Sequence, residues 1–191
     1  MTRRKDMPEG WLTSNYAMSR TDRTIKAIGD VDEEMLSFLF GALHTLGTDS
    51  RISPVTLMMH TGGGTETEGL AIYDLIRMSP CPVDITVMGC MQSMGAIILQ
   101  AARTRYILPN SYLMIHVGSR SYEDHIDNVR RRLLLDKKLD EVCDQILLRR
   151  MQMADPKLTL GKLRDMQTLD TYFTAAEAVR AGLVDSIVGG E

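Results

Sequence analysis

Apolar and polar positions divide the chain into a run of alternating strands and helices, followed by one long helical pattern. The segment RTIKAIGDV (residues 23–31) predicts a short strand ending at Gly29. DEEMLSFLFGALHTLG (32–47) has helical spacing, with Asp32 as N-cap and Gly47 as the glycine stop. PVTLMMHT (54–61) predicts a buried strand that runs into Gly62, Gly63 and Gly64, and TETEGLAIYDLIRMS (65–79) predicts the next helix. CPVDITVMG (81–89) reads as a strand, SMGAIILQAART (93–104) as a helix, and YILPNSYLMIHVG (106–118) as two strand pieces around a Pro109–Asn110 turn. Strands and helices alternate from 23 to 104, which predicts an α/β fold with a parallel sheet and right-handed crossovers.

From Tyr122 to Met153 the chain is polar-rich and has no Gly or Pro. Ile126, Val129, Leu133, Leu139, Val142, Ile146 and Leu147 keep helical spacing. One helix of about 30 residues would be about 45 Å long at about 1.5 Å per residue. That is about the width of a domain of this size, so a single helix here would project and meet a partner. Two ordinary helices with an unmarked break are the alternative. In TAAEAVRAGLVDSIV (174–188), Thr174 with Glu177 forms a capping box, Gly182 ends the helix, and a short strand follows. Residues 1–22 are polar and predict a loose N-terminal arm.

Composition narrows the class. The chain has 191 residues, 44% hydrophobic and 25% charged, enough for one domain with a real core. The net charge of −3 gives no field for nucleic acid, and the arginines at 130–132 and 149–150 are interleaved with acids. No apolar run reaches the roughly 18–20 residues that span a membrane. Cys81, Cys90 and Cys143 are too few and scattered for a disulfide framework or a zinc site, so a reduced, cytoplasmic setting without a metal is expected. The 14 methionines read as packing filler or as a soft contact surface.

The candidate chemistry sits at two strand-to-helix junctions. At the first, three glycines could bind phosphate, form a tight turn, or present N–H groups to a developing oxyanion. HTGGGTETEG lacks the P-loop lysine and the dinucleotide-binding register, which disfavours phosphate. At the second, Ser93 precedes a helix with Gly95 behind it, while Met91 stands where a G-x-S-x-G elbow has its first glycine. Ser93 is therefore either a helix cap or a nucleophile, and a nucleophile needs a base. His44 lies within a helix and His125 opens the long one. His60 ends the strand before the glycines and could be structural or line a site. His116 ends a strand on the side where parallel α/β sheets place their sites, although a structural histidine would also fit there.

Four segments together resemble the Clp protease proteolytic subunit family: QSMGA around Ser93, YILPNSYLMIH ending at His116, GGGTETEGLAIYDLI, and YFTAAEAVRAGLVDSIV. The resemblance covers residues 23–188 and implies the spiral of ββα units shared with crotonases, with residues of about 119–155 as a projecting handle. It implies a catalytic triad of Ser93 as nucleophile, His116 as general base and Asp170 as orienting acid. Asp165 and Asp185 match no catalytic position. The oxyanion donors it implies are the backbone N–H groups of Gly63 or Gly64 and of Met94. It also implies hydrolysis of unfolded polypeptide inside a chamber of two stacked seven-membered rings, fed by an AAA+ unfoldase. The alternatives are an inactive ring or scaffold subunit of the same fold and a CoA-thioester enzyme of crotonase type. The chain departs from the family in having His60-Thr61-Gly62 in place of Asn-Ser-Pro, and Val117-Gly118 in place of Gln-Pro after the base. Its N-terminal arm does not resemble the family's apolar axial loop.

Overall fold

The computed structural model describes residues 14–189. The part of the expected arm at residues 1–13 lies outside them. In chain order the elements are β1 (Tyr16–Ser19), β2 (Thr24–Ile28), α1 (Glu33–Asp49), β3 (Val55–Thr61), α2 (Glu66–Arg77), β4 (Val83–Gln92) and α3 (Met94–Leu99). There follow β5 (Arg105–Ile107), β6 (Tyr112–Ile115), α4 (Ile126–Met151), α5 (Leu160–Gln167), β7 (Thr171–Thr174), α6 (Ala175–Arg180) and β8 (Ser186–Ile187). This is the α/β fold that the family resemblance implies.

The sheet runs β1-β2-β3-β4-β5-β8, with β6 on β4 and β7 on β6. The pairs β2–β3, β3–β4, β4–β5, β4–β6 and β5–β8 are parallel, while β1–β2 and β6–β7 are antiparallel. In β2 and β3 burial alternates along the strand, one face closed and the other partly open, whereas β4 is buried on both faces through its first five residues. Ile25, Leu57, Met59, Ile85, Val87 and Met91 are fully enclosed with Leu39, Leu43 and Leu46 of α1 and Ile72 of α2. The strand β4 is long and serves two neighbours: residues 85–87 pair with β5 and residues 90–92 with β6. Between the two parts lies a register shift against β3, with Gly89 at φ +66°. Such a shift bends a strand, and beyond it β4 ends at Gln92, the residue before Ser93.

Several boundaries differ from the sequence reading. Tyr16–Ser19 of the expected arm is a strand, held to β2 with Tyr16 opposite Ala27. Gly47 does not stop α1, which continues to Asp49 and is closed by the Ser50 N–H on the Leu46 carbonyl. The glycine is needed there for another reason: a Cβ at Gly47 would lie 2.3 Å from Pro80 Cγ. The helix after Ser93 has six residues, and the chain leaves it in turns through residues 101–104. The helix α5 and the strand β7 have no counterpart in the sequence reading.

The long polar stretch is one unbroken helix, α4, of 26 residues. It therefore extends about 39 Å. Its buried apolar residues, Ile146, Leu147, Leu148 and Met151, all fall in its last two turns. The earlier turns expose Leu133, Leu134, Leu135 and Val142.

Candidate active site

Sheet register brings the three chemical side chains together. In the β4–β6 ladder, Gln92 faces Met114, and the Ser93 N–H donates to the Met114 carbonyl at 2.9 Å. In the antiparallel β6–β7 ladder, Met114 faces Tyr172 and Ile115 faces Thr171. One further step places His116 opposite Asp170. The side chains meet accordingly: His116 Nε2 lies 2.9 Å from Ser93 Oγ, and His116 Nδ1 lies 3.0 Å from Asp170 Oδ1. The three residues assigned by resemblance are thus in one hydrogen-bonded row. The serine and the imidazole are partly buried, while the Asp170 side chain is 52% exposed.

The backbone at Ser93 is strained. Its φ of +51° and ψ of −119° lie outside the regions open to ordinary L-residues, and its side chain caps no helix N–H. The cap reading of this serine therefore fails. The turn aims the hydroxyl at the imidazole instead. No first glycine is required at Met91, because that residue is packed in the core as part of β4. Gly95, the second residue of α3, is needed for packing: a Cβ there would lie 2.5 Å from Thr61 Cγ2.

The glycine turn after β3 lies directly against this elbow. A Cβ at Gly63, where φ is +99°, would sit 2.7 Å from Ser93 Cβ and 2.9 Å from the Gln92 carbonyl oxygen. Gly64, at φ +151°, abuts the Val31 backbone with no room for a Cβ. The Gly63 N–H donates to Thr61 Oγ1 at 3.0 Å. The N–H groups of Gly64 and Met94 have no acceptor among the described residues. Of the two glycines, Gly64 is therefore the one with a donor to spare.

The remaining histidines do not join the row. The His60 ring packs on Gly89, with Nδ1 2.9 Å from the Met88 carbonyl oxygen and 3.2 Å from the Cys90 nitrogen, a structural role at the bend of β4. His44 is exposed on α1, and His125 caps the start of α4. Of the two other acids near the C-terminus, Asp185 pairs with the buried Arg105 through its side chain and backbone N–H. Asp165 lies on α5 and takes no part in the row. Tyr172 was not singled out in the sequence; its hydroxyl reaches the free Oδ2 of Asp170 at 3.4 Å.

A cleft of about 470 Å³ opens from Ser93 and His116 toward α4 and α5. Arg120 stands at its edge, bound to Glu66 of α2 at 2.8 Å and to Asp140 of α4 at 2.7 Å. Those carboxylates raise the guanidinium's pKa further above its ordinary value, with hydrogen bonding to Asp140 contributing most. The thiol of Cys143 lines the same cleft, and burial, with the nearby Glu66 and Asp140 charges, pushes its pKa up to about 12. It is a neutral thiol at physiological pH and not a competing nucleophile.

The family model for Clp protease matches residues 9–191. The chain is 29% identical over 175 residues to the ATP-dependent Clp protease proteolytic subunit of Deinococcus radiodurans, covering 91% of this chain and 83% of that one. It is likewise 29% identical over 184 residues to the subunit of the same name from Ligilactobacillus salivarius, covering 91% of this chain and 86% of the other.

Proposed function

The chain belongs to the Clp protease family, which implies peptidase activity, and we propose that it is a serine endopeptidase working through Ser93, His116 and Asp170. The observation that carries this reading is the unbroken row of hydrogen bonds from Ser93 Oγ to His116 Nε2 and from His116 Nδ1 to Asp170 Oδ1. An ionised carboxylate only accepts, so Nδ1 carries the ring proton. Nε2 is then the lone-pair nitrogen facing the serine hydroxyl, as a general base must be.

On substrate binding, Ser93 Oγ attacks the peptide carbonyl carbon while its proton passes to His116 Nε2. The oxyanion that forms is met by the N–H groups of Met94 and Gly64, and Asp170 balances the imidazolium charge. As the intermediate collapses, the C–N bond breaks and Nε2 returns the proton to the departing amine. Water, deprotonated by the same nitrogen, then releases the acyl group from Ser93. The position of Met94 at the start of α3 adds a local positive potential to its N–H.

The substrate in this reading is unfolded polypeptide, degraded in the cytoplasm inside a chamber of two stacked seven-membered rings. The relatives' name, an ATP-dependent proteolytic subunit, supports an ATPase partner that delivers it. The exposed apolar turns of α4 support an assembly that covers them. No helix of the described residues is long and apolar enough to cross a membrane.

A fluorophosphonate probe tests the nucleophile. One adduct at Ser93, absent in Ser93→Ala and retained in Cys143→Ser, is expected. An unlabelled wild-type chain, or equal labelling of Ser93→Ala, would overturn the serine mechanism.

A further inference from the structure

One buried side chain holds the turn that presents Gly64. Thr61, the last residue of β3, is fully enclosed. Its Oγ1 accepts the Gly63 N–H at 3.0 Å, and its hydroxyl donates to the Gly63 carbonyl oxygen at a longer 3.4 Å. Its methyl carbon Cγ2 packs over Gly95, close enough that a Cβ there would come within 2.5 Å of it. A β-branched side chain is stiff about χ1. With the methyl held on the α3 side, the hydroxyl stays on the glycine side.

A single peptide unit transmits this hold. The Gly63 carbonyl and the Gly64 N–H belong to one planar trans peptide group, so they point in opposite directions. The carbonyl is turned to the Val31 N–H, at 2.8 Å, and to the Thr61 hydroxyl. The Gly64 N–H is therefore turned away from both, and it has no acceptor among the described residues. The unit lies between glycines at φ +99° and +151°, with no Cβ of its own to restrict rotation. The Thr61 methyl meanwhile rests on the residue after Met94, whose N–H is the other proposed donor.

From these contacts we infer that Thr61 is a positioning residue of the oxyanion site. Its hydroxyl keeps the Gly63–Gly64 peptide from rotating, and so keeps the Gly64 N–H available to the oxyanion. Its methyl sets the spacing between that turn and Met94. Thr61 forms and breaks no bond with substrate; it acts through the two donors. The inference rests on the serine-peptidase reading and deepens it. Donors fixed in advance act on charge that develops only in the transition state, so loosening them slows the chemical step and leaves substrate binding in place.

The test uses a fluorogenic peptide and a peptide aldehyde, whose hemiacetal with Ser93 places an oxygen where the oxyanion forms. Thr61→Val keeps the methyl and loses the hydroxyl. Its kcat should fall roughly 10- to 100-fold, short of the roughly 10²–10³-fold cost of losing a donor outright, while KM stays within about twofold. The aldehyde's Ki should rise by the factor by which kcat/KM falls. Thr61→Ser and Thr61→Ala both lack the methyl and differ only in the hydroxyl, so they isolate it even where Thr61→Val does not fold. The kcat of Thr61→Ser should exceed that of Thr61→Ala about tenfold or more. A wild-type chain that takes no fluorophosphonate label refutes the peptidase reading, and the role of Thr61 with it. With a labelled and active wild type, three results overturn the Thr61 assignment alone: wild-type kcat in Thr61→Val, a change confined to KM, or Thr61→Ser no faster than Thr61→Ala.

Discussion

Ser93 is held where a side chain is least at ease. A non-glycine residue at φ +51° costs on the order of 1 kcal/mol or more. Ser93→Gly and Ser93→Ala should both abolish peptide hydrolysis, but Ser93→Gly should melt higher, by about 1 kcal/mol in unfolding free energy at the melting midpoint. Equal melting temperatures would show that the turn is not strained. In the proposed triad Asp170 acts through the imidazole, and Asp170→Asn should lower kcat by roughly 10³-fold or more by favouring the wrong tautomer. At the oxyanion side, Gly64→Ala drives a Cβ to 2.4 Å from the Val31 carbonyl oxygen at a φ no L-residue favours. Loss of both activity and stability is expected from calorimetry and peptide assay of that variant.

At the scale of elements, one tie is local and one joins distant parts of the chain. Thr174 and Glu177 satisfy each other's backbone N–H at the start of α6, so Thr174→Ala should cost about 1 kcal/mol in urea unfolding. Asp185 anchors Arg105, whose side chain is 3% exposed. Burial alone would raise the Asp185 carboxyl pKa, but hydrogen bonds from the Arg105 side chain and backbone outweigh it and hold it below the ordinary value. Its stabilisation is therefore present above the ordinary carboxyl pKa of about 3.9 and lost as pH falls through the depressed value. Asp185→Asn should be less stable than wild type at pH 7 by about 1–3 kcal/mol, a gap that narrows in acid. Much of this architecture was legible from the residues. The alternation from 23 to 104, the Asp32 cap and the Thr174 box all follow from local pattern. What was not legible depends on contacts far along the chain. Gly47 looked like a stop, yet it is a helical site kept small by Pro80. The strand β7 is four residues long and exists only because β6 offers it an edge. Ser93 could not be told from a helix cap until register placed His116 and Asp170 beside it.

As a whole, the chain leaves apolar surface that a lone copy has no means to cover. Leu133, Leu134 and Leu135 are consecutive on α4, and at about 100° per residue they spread over more than half of its circumference. A partner on one side alone would not bury all three. If the proposed stacked rings meet through α4, Leu134→Glu should shift the mass from a double ring to a single ring, read by mass photometry, with unchanged mass as the contrary result. The short strand β6 also sets how the row of Ser93, His116 and Asp170 behaves as a unit. β6 is paired through Tyr112, Leu113 and Met114 with the strand leading to Ser93, and through all four of its residues with the strand leading from Asp170. If β6 loosens, the imidazole loses its proton acceptor and its proton donor in the same event. The row then has two settings, engaged or idle, with no half-assembled catalyst between them, and whatever grips this short strand in the assembly acts as the clutch.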